Sequence, residues 1–253
     1  MTHISYSELK NWDFCPFYHK LVHIEKLDGF KGNEYTAFGS AIHEVCEKKL
    51  LQKTVNEDFF VQEFKKRLKV LENDKVEFNL SRAIEMVPQG IALLPEIIPA
   101  VDDYFDGYEI ISTEEKLMVP IDDSEYYFKG YIDAVFKTSD GKYHIVDWKS
   151  CSWGWNAQRR SDRLTTYQLT LYKHYYCKKH NIDPSLVETH FALLKRTAKK
   201  DLVEIFRITS GPKKTENALK LLNIALYNII NKRYIKKRTS CEKCSFHKTP
   251  ECP

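Results

Sequence analysis

No run of apolar residues in this 253-residue chain approaches the roughly 18 needed to cross a bilayer. The opening M-T-H-I-S-Y-S also lacks a basic start followed by an apolar block. The expectation is a cytoplasmic protein with no membrane partner. An excess of one charge is missing too: 39 Lys plus Arg stand against 35 Asp plus Glu, and the resulting +4 is too mild to identify a polyanionic partner by itself. Nothing resembles a compact base-reading helix, which argues against recognition of one short nucleotide sequence. What is present is ordinary for a globular protein. Hydrophobic residues make up 43% and charged residues 29%, and the length suffices for one large domain spanning 1–253.

The most informative stretch is Lys129 to Ser150, K-G-Y-I-D-A-V-F-K-T-S-D-G-K-Y-H-I-V-D-W-K-S. Two apolar runs, Tyr131 to Phe136 and Tyr143 to Trp148, flank a Ser139-Asp140-Gly141 turn, the pattern of a β-hairpin. Each run carries an acid, Asp133 or Asp147, where a buried strand should have none. Strand side chains alternate faces, so Asp147 and Lys149 project to one side and Trp148 to the other. Two carboxylates and an amine in one place suit metal-assisted phosphodiester hydrolysis, in which hard oxygen ligands hold Mg²⁺ or Mn²⁺ and the ammonium acts on water or on transition-state charge. A lone D-x-K is far more often a surface ion pair on an edge strand, so the reading rests on the company the motif keeps.

Upstream, Ser5 or Ser7 caps a short helix from Glu8 to Phe14, Cys15-Pro16 redirects the chain, and an extended stretch is expected through Ile24. Gly39-Ser40 leads into an amphipathic helix reaching about Leu51, with His43 in its first turn. Residues 56–106 read as a helical insertion, capped at Asn56 and kinked or split by Pro88, Pro95 and Pro99. A strand from Ile110 to Ile121 contains Glu114 and Glu115. Beyond the hairpin come Trp153, Trp155 and an Arg-rich loop, then a helix from about Asp162 to His180 that places Gln168 and Tyr172 on one face at i, i+4. Strands at Val187 to Leu194 and Leu202 to Ile208 and a helix from Lys213 to Tyr234 complete the chain before its cysteine-rich tail.

Seven cysteines without a secretion signal point to metal binding or free thiols rather than disulfides. Cys241, Cys244 and Cys252 crowd the tail and Cys15 lies near the start, while Cys46, Cys151 and Cys177 read as small core residues. Basic clusters at Arg159-Arg160-Arg163, Lys195-Arg196 with Lys199-Lys200, and Lys232-Arg233 with Lys236-Lys237-Arg238 fit either a phosphate track or solvated surfaces.

Four short motifs in order carry a resemblance: G-S-A-I-H (Gly39 to His43), G-Y-I-D (Gly130 to Asp133), D-W-K (Asp147 to Lys149) and Q-L-T-L-Y (Gln168 to Tyr172). With the N-terminal S-Y-S-E-L-K-N-W-D-F-C-P and the terminal C-E-K-C-S-F-H-K-T-P-E-C, the chain resembles the PD-(D/E)XK nuclease superfamily. It is most similar to the RecB-like branch, whose iron–sulfur members include the CRISPR adaptation nucleases, exonuclease V and the AddB nuclease domain. The resemblance implies an α/β fold, a restriction-endonuclease-like mixed central sheet flanked by helices, with the Asp147 strand in its middle. It implies that His43, Asp133 and Asp147 ligate a divalent cation, Mg²⁺ or Mn²⁺, with the Val146 carbonyl as an additional ligand. It makes Asp133, Asp147, Lys149, Gln168 and Tyr172 the catalytic set. Some relatives also use a glutamate on the preceding strand, for which Glu114 and Glu115 compete.

The cysteine motifs imply a [4Fe–4S] cluster on Cys15, Cys241, Cys244 and Cys252, with residues 1–34 and 235–253 forming a staple. Cys241, Cys244, His247 and Cys252 could instead close a zinc site. The function implied is a metal-dependent DNA exonuclease acting on single-stranded ends, in recombination, repair, or phage or CRISPR DNA processing, with recombination or integration proteins as partners. From another class, the chain could be a non-catalytic DNA-binding or recombination-partner module built around a structural zinc or iron–sulfur site. The intact Asp133, Asp147 and Lys149 set argues against that, because a pure binder has no use for it.

Overall fold

A computed structural model describes residues 1–253, which divide into two compact units. The first comprises Met1–Lys31, Met118–Gly130 and Gly211–Pro253. Strand β1 (His3–Ser5) pairs in parallel with the first residues of β3 (Tyr127–Thr138), Ile4 opposite Phe128. The Ser5 side chain accepts the Glu8 N–H and caps helix α1 (Tyr6–Phe14). Cys15 is extended, and Pro16 then opens a new helix, α2 (Pro16–His19), which continues as a π-helical turn over Lys20–Ile24. The expected extended stretch is therefore helical. Proline at a first helical position lacks only an N–H that would have no intrahelical partner, so it ends one helix and starts the next. Helix α9 (Pro212–Ile230) belongs to this unit, as does the tail, whose main regular piece is a 3₁₀ segment at Arg238–Lys243.

The second unit comprises Gly32–Leu117 and Tyr131–Ser210. Its first helix, α3 (Glu34–Leu50), begins five residues before Gly39, because Asn33 and Thr36 form a reciprocal capping box. His43 consequently lies mid-helix rather than in the first turn. A glycine at position 39 lets α3 approach the sheet closely: a Cβ there would lie 3.2 Å from Ser150 Oγ. Helices α4 (Glu57–Asn73), α5 (Leu80–Leu93) and α6 (Ile97–Tyr104) follow, with side-chain caps from Asn56 and Asn79 on the first two. Pro88 sits inside α5, and the break falls at a 3₁₀ turn, Leu94–Glu96, that contains Pro95. The stretch Leu80–Tyr104 is long and apolar enough to span a membrane by composition. Here Ala83, Met86, Leu93, Ile97 and Val101 enter the core.

Strand β2 (Tyr108–Pro120) pairs with β3, and β3 and β4 (Tyr143–Cys151) form the expected antiparallel hairpin, with Gly141 at φ +81° in its turn. Strand β4 pairs in parallel with β5 (Val187–Lys195), which pairs antiparallel with β6 (Val203–Ile208). In hydrogen-bonded order the strands run β1-β3-β4-β5-β6, placing β4 in the middle of a mixed sheet. Within the second unit, Ala134, Phe136, Val146, Trp148, Ala192 and Leu194 point to one face and share a core with α3 to α6. Residues 56–106 are thus structural partners of the sheet: Phe38, Phe60 and Phe64 pack ring to ring and are essentially buried, each contributing about 2–3 kcal/mol by burial. The other face is covered by α8 (Arg163–His180), capped by Asp162. The Arg-rich segment before it forms a short helix, α7 (Ala157–Ser161), rather than a loop.

Candidate active site

The alternation along β4 buries Trp148 on the core face and turns Asp147 and Lys149 to the α8 face, as the sequence predicts. Asp147 is 2% exposed, an expensive place for a charge, and its two oxygens are held differently. Oδ1 accepts a 2.8 Å hydrogen bond from Gln168 Nε2 on α8, and Oδ2 forms an ion pair with Lys149 Nζ. Asp133 arrives from β3 one residue beyond the Ala134–Val146 pair, and its Oδ2 accepts the Trp148 N–H at 2.7 Å. His43 Nδ1, from α3, lies 3.6 Å from the same oxygen. Two strands and the helices α3 and α8 therefore bring His43, Asp133, Asp147, Lys149 and Gln168 together. Tyr172, one turn after Gln168, puts its hydroxyl 3.3 Å from the Gln168 amide and is buried.

The electrostatics are those of a site short of positive charge. Burial pushes Asp133 up to about 6 against the opposing pull of Lys149, and burial together with the Asp133 charge does the same to Asp147. Burial and the Lys149 ammonium push His43 down to about 4, so its imidazole is neutral with a lone pair available. Burial and the Asp147 charge push the Tyr172 hydroxyl up. Two carboxylates, a neutral imidazole and a buried Asp147 Oδ2 without an aligned hydrogen bond make a donor set suited to a hard divalent cation.

The paired glutamates of β2 separate cleanly. Glu114 adopts φ 50° and is exposed to solvent; the partial desolvation it has, then repulsion from Asp133, Glu47, Glu44 and Asp147, pushes it up to about 7, so it feels the field of the acidic pocket. Glu115 points elsewhere. Burial raises it, but bonds from Lys179 and His180 outweigh this and hold it below the usual carboxylate range.

The cysteines gather in the first unit. Cys15, Cys241, Cys244 and Cys252 line one small cavity with His247, Phe246 and Lys237. Cys15 Sγ accepts the Lys237 N–H at 3.3 Å, and Ser240 Oγ donates to the Phe14 carbonyl at 2.5 Å, tying the tail to α1. Burial, then the neighbouring thiols of Cys15, Cys252 and Cys241, pushes Cys244 up. Cys46 and Cys177 are buried as core residues, whereas Cys151 is only half-buried. The basic clusters are less available than their sequence suggests. Arg196 is buried and bonded to Gln89 and Ser152, and Arg160 pairs with Glu204 and the Trp155 carbonyl, so both act as internal cross-links.

The model of the PD-(D/E)XK nuclease superfamily matches residues 3–249, and the chain belongs to that superfamily. No curated protein matches the chain. Among solved structures it is similar to a provisionally named exonuclease from Eubacterium rectale, with 14% identity, a TM-score of 0.54, and coverage of 90% of this chain and 80% of that one. This is a likeness of fold. A second structure, SSO0001, shares 14% identity over 91% of each chain with a TM-score of 0.39.

Proposed function

We propose that the chain hydrolyses phosphodiester bonds at DNA ends, single-stranded ends above all, with Asp133, Asp147 and His43 holding Mg²⁺ or Mn²⁺. The observation that carries this reading is the convergence of those three donors with Lys149 in a pocket whose carboxylates are pushed up to about 6. A divalent cation held there would polarise a phosphate oxygen and acidify a water molecule. Gln168 fixes the Asp147 carboxylate from α8, so its role is positioning. Lys149 holds its ammonium at the same carboxylate, where it can orient water and oppose charge developing on the phosphate.

Trp153 supplies a surface for an unpaired base. It is 73% exposed, two residues past β4, while Trp12, Trp148 and Trp155 are buried. A flat exposed ring suits stacking on single strands, which needs no base sequence. Four thiols lining one cavity support a [4Fe–4S] cluster in the first unit, with Cys15 as the ligand that the zinc alternative would omit. This chemistry serves recombination, repair, and phage or CRISPR DNA processing alike.

End-labelled single- and double-stranded DNA incubated with Mg²⁺ or Mn²⁺ tests the activity. Stepwise shortening from single-stranded ends is expected, with none in chelator. Internal cuts at one sequence would overturn the reading. Tryptophan emission should fall on adding a single-stranded oligonucleotide and stay unchanged in Trp153→Phe.

A further inference from the structure

Behind the acidic pocket, on the other face of the same strands, stands a group that catalysis does not use. In the parallel β4–β5 register His144 lies opposite Glu188 and Val146 opposite His190, so His144, Glu188 and His190 share the face that carries Val146 and Trp148. One donor atom from each of the three lies within 4.8 Å of the others. His144 Nδ1 and His190 Nε2 are 3.1 Å apart, and Glu188 Oε2 is 4.0 Å from His144 Nδ1. Two imidazole nitrogens on one tetrahedral ion, each about 2.0–2.1 Å from it, stand roughly 3.3 Å apart.

The surrounding bonds orient the donors inward. The Thr138 hydroxyl donates to Asp140 Oδ1 at 2.5 Å, so it accepts at 2.9 Å from His144 Nε2, which fixes the proton there and leaves the Nδ1 lone pair facing His190. The Tyr104 hydroxyl lies 3.3 Å from His190 Nδ1 and can accept its proton, freeing Nε2. Glu188 Oε1 is held by Arg207 at 3.2 Å and by Lys142 at 3.8 Å, which steadies the carboxylate and leaves Oε2 turned to the histidines. Partners of this kind on the far atom of each ligand are what metal sites use to set tautomer and orientation. Burial lowers both histidines, His190 to about 3, so both are neutral near pH 7.

We propose that His144 Nδ1, His190 Nε2 and Glu188 Oε2 bind one zinc-class transition-metal ion, with water as the fourth ligand, in a site that clamps β4 to β5 behind the catalytic strand. Two imidazoles favour zinc, cobalt or nickel over magnesium, so the site is chemically separate from the acidic pocket. Without metal the pair is joined by a His190 Nε2–H···Nδ1 His144 hydrogen bond. Binding moves the His190 proton from Nε2 to Nδ1, turning Tyr104 Oη from donor to acceptor, and no net proton is released.

The test uses the full chain with its cysteine site as purified, dialysed against zinc and analysed for metal. Wild type should hold one zinc equivalent more than His144→Gln or His190→Gln, with metal at the cysteines unchanged. Cobalt titration should give weak visible bands without thiolate charge transfer, lost in the same variants. Glu188→Gln, at a carboxylate whose side chain is 15% exposed, serves where a histidine variant fails to fold and should weaken zinc at least tenfold. Wild type with no extra equivalent, or folded variants that take up as much zinc as wild type, would overturn the proposal.

Discussion

The acidic pocket and the cysteine cavity are built on opposite principles. His43, Asp133, Asp147, Lys149 and Gln168 stand on long regular elements whose positions are fixed by the fully buried core around Phe38, Val146 and Trp148. The acids are held together although burial and mutual repulsion oppose them. The cysteine cavity is bounded by an extended residue between two helices and by a tail of 3₁₀ segment, turns and one isolated Thr249–Cys252 bridge. Regular structure fixes these side chains through the core packed beneath them. The irregular tail buries only Phe246 among its apolar side chains, so a ligand held there would contribute more to its order than one in the acidic pocket.

The sharpest way to break this contrast is to remove an acid. Asp133→Ala or Asp147→Ala should lower cleavage by at least about 10³-fold while leaving the fold and DNA affinity largely intact, since phosphate contacts lie mainly elsewhere. Circular dichroism, filter binding and single-turnover cleavage check it together. Substantial residual cleavage in Asp147→Ala would end the assignment.

At the cysteines the order of effects should reverse, with folding failing before chemistry. Cys15→Ala should lose the cluster, measured as iron and labile sulfide in protein purified without oxygen, and should destabilise the first unit by about 2–5 kcal/mol, because a ligand bond from residue 15 to the last dozen closes a very long loop. His247→Ala should keep its metal. If Cys15→Ala instead keeps stoichiometric zinc and His247→Ala loses it, the tail forms a zinc site by itself.

A smaller effect separates charge from shape. Asp147 has a folded-state value of about 6, above its ordinary 3.8, so in chelator the folded protein keeps a proton that the unfolded chain has released. This penalty is absent below about pH 4, grows between pH 4 and 6, and is complete at pH 7. Asp147→Asn should therefore stabilise the metal-free protein at pH 7 by about 1–2 kcal/mol, with the gain vanishing towards pH 4, and should blunt the stabilisation wild type gains from Mg²⁺. Urea melts at both pH values measure it. A variant less stable than wild type at pH 7 would show that the lost Lys149 pairing outweighs relieved burial.

Strand alternation made the hairpin and the common face of Asp147 and Lys149 legible in the sequence, and the helical i, i+4 spacing did the same for Gln168 and Tyr172, because each depends on local periodicity. The early start of α3 was obscured because Gly39 looks like a boundary, whereas its real task is to let the helix pass close to Ser150. The helix after Pro16 was missed because proline signals both an end and a beginning. His144, Glu188 and His190 carry no motif: they meet only through the register of two strands 46 residues apart in sequence at the closest histidine pair. Arg196 could not be told from a phosphate ligand, since whether an arginine is buried is decided by distant residues such as Gln89.

The smallest expected effect concerns Gly39. Alanine is the better helix former by about 1 kcal/mol, but its Cβ would sit 3.2 Å from Ser150 Oγ, so Ser150 must give by a few tenths of an ångström. Ser150 follows Lys149 directly, and small displacements at reacting groups are costly to rate. Gly39→Ala should thus leave stability within about 1 kcal/mol of wild type while lowering turnover about 2–10-fold at unchanged DNA affinity. Adding Ser150→Ala removes the close oxygen and should restore turnover. Full activity in Gly39→Ala alone would mean that the approach of α3 does not set the position of Lys149, and that the pocket is held by β4 and α8 without it.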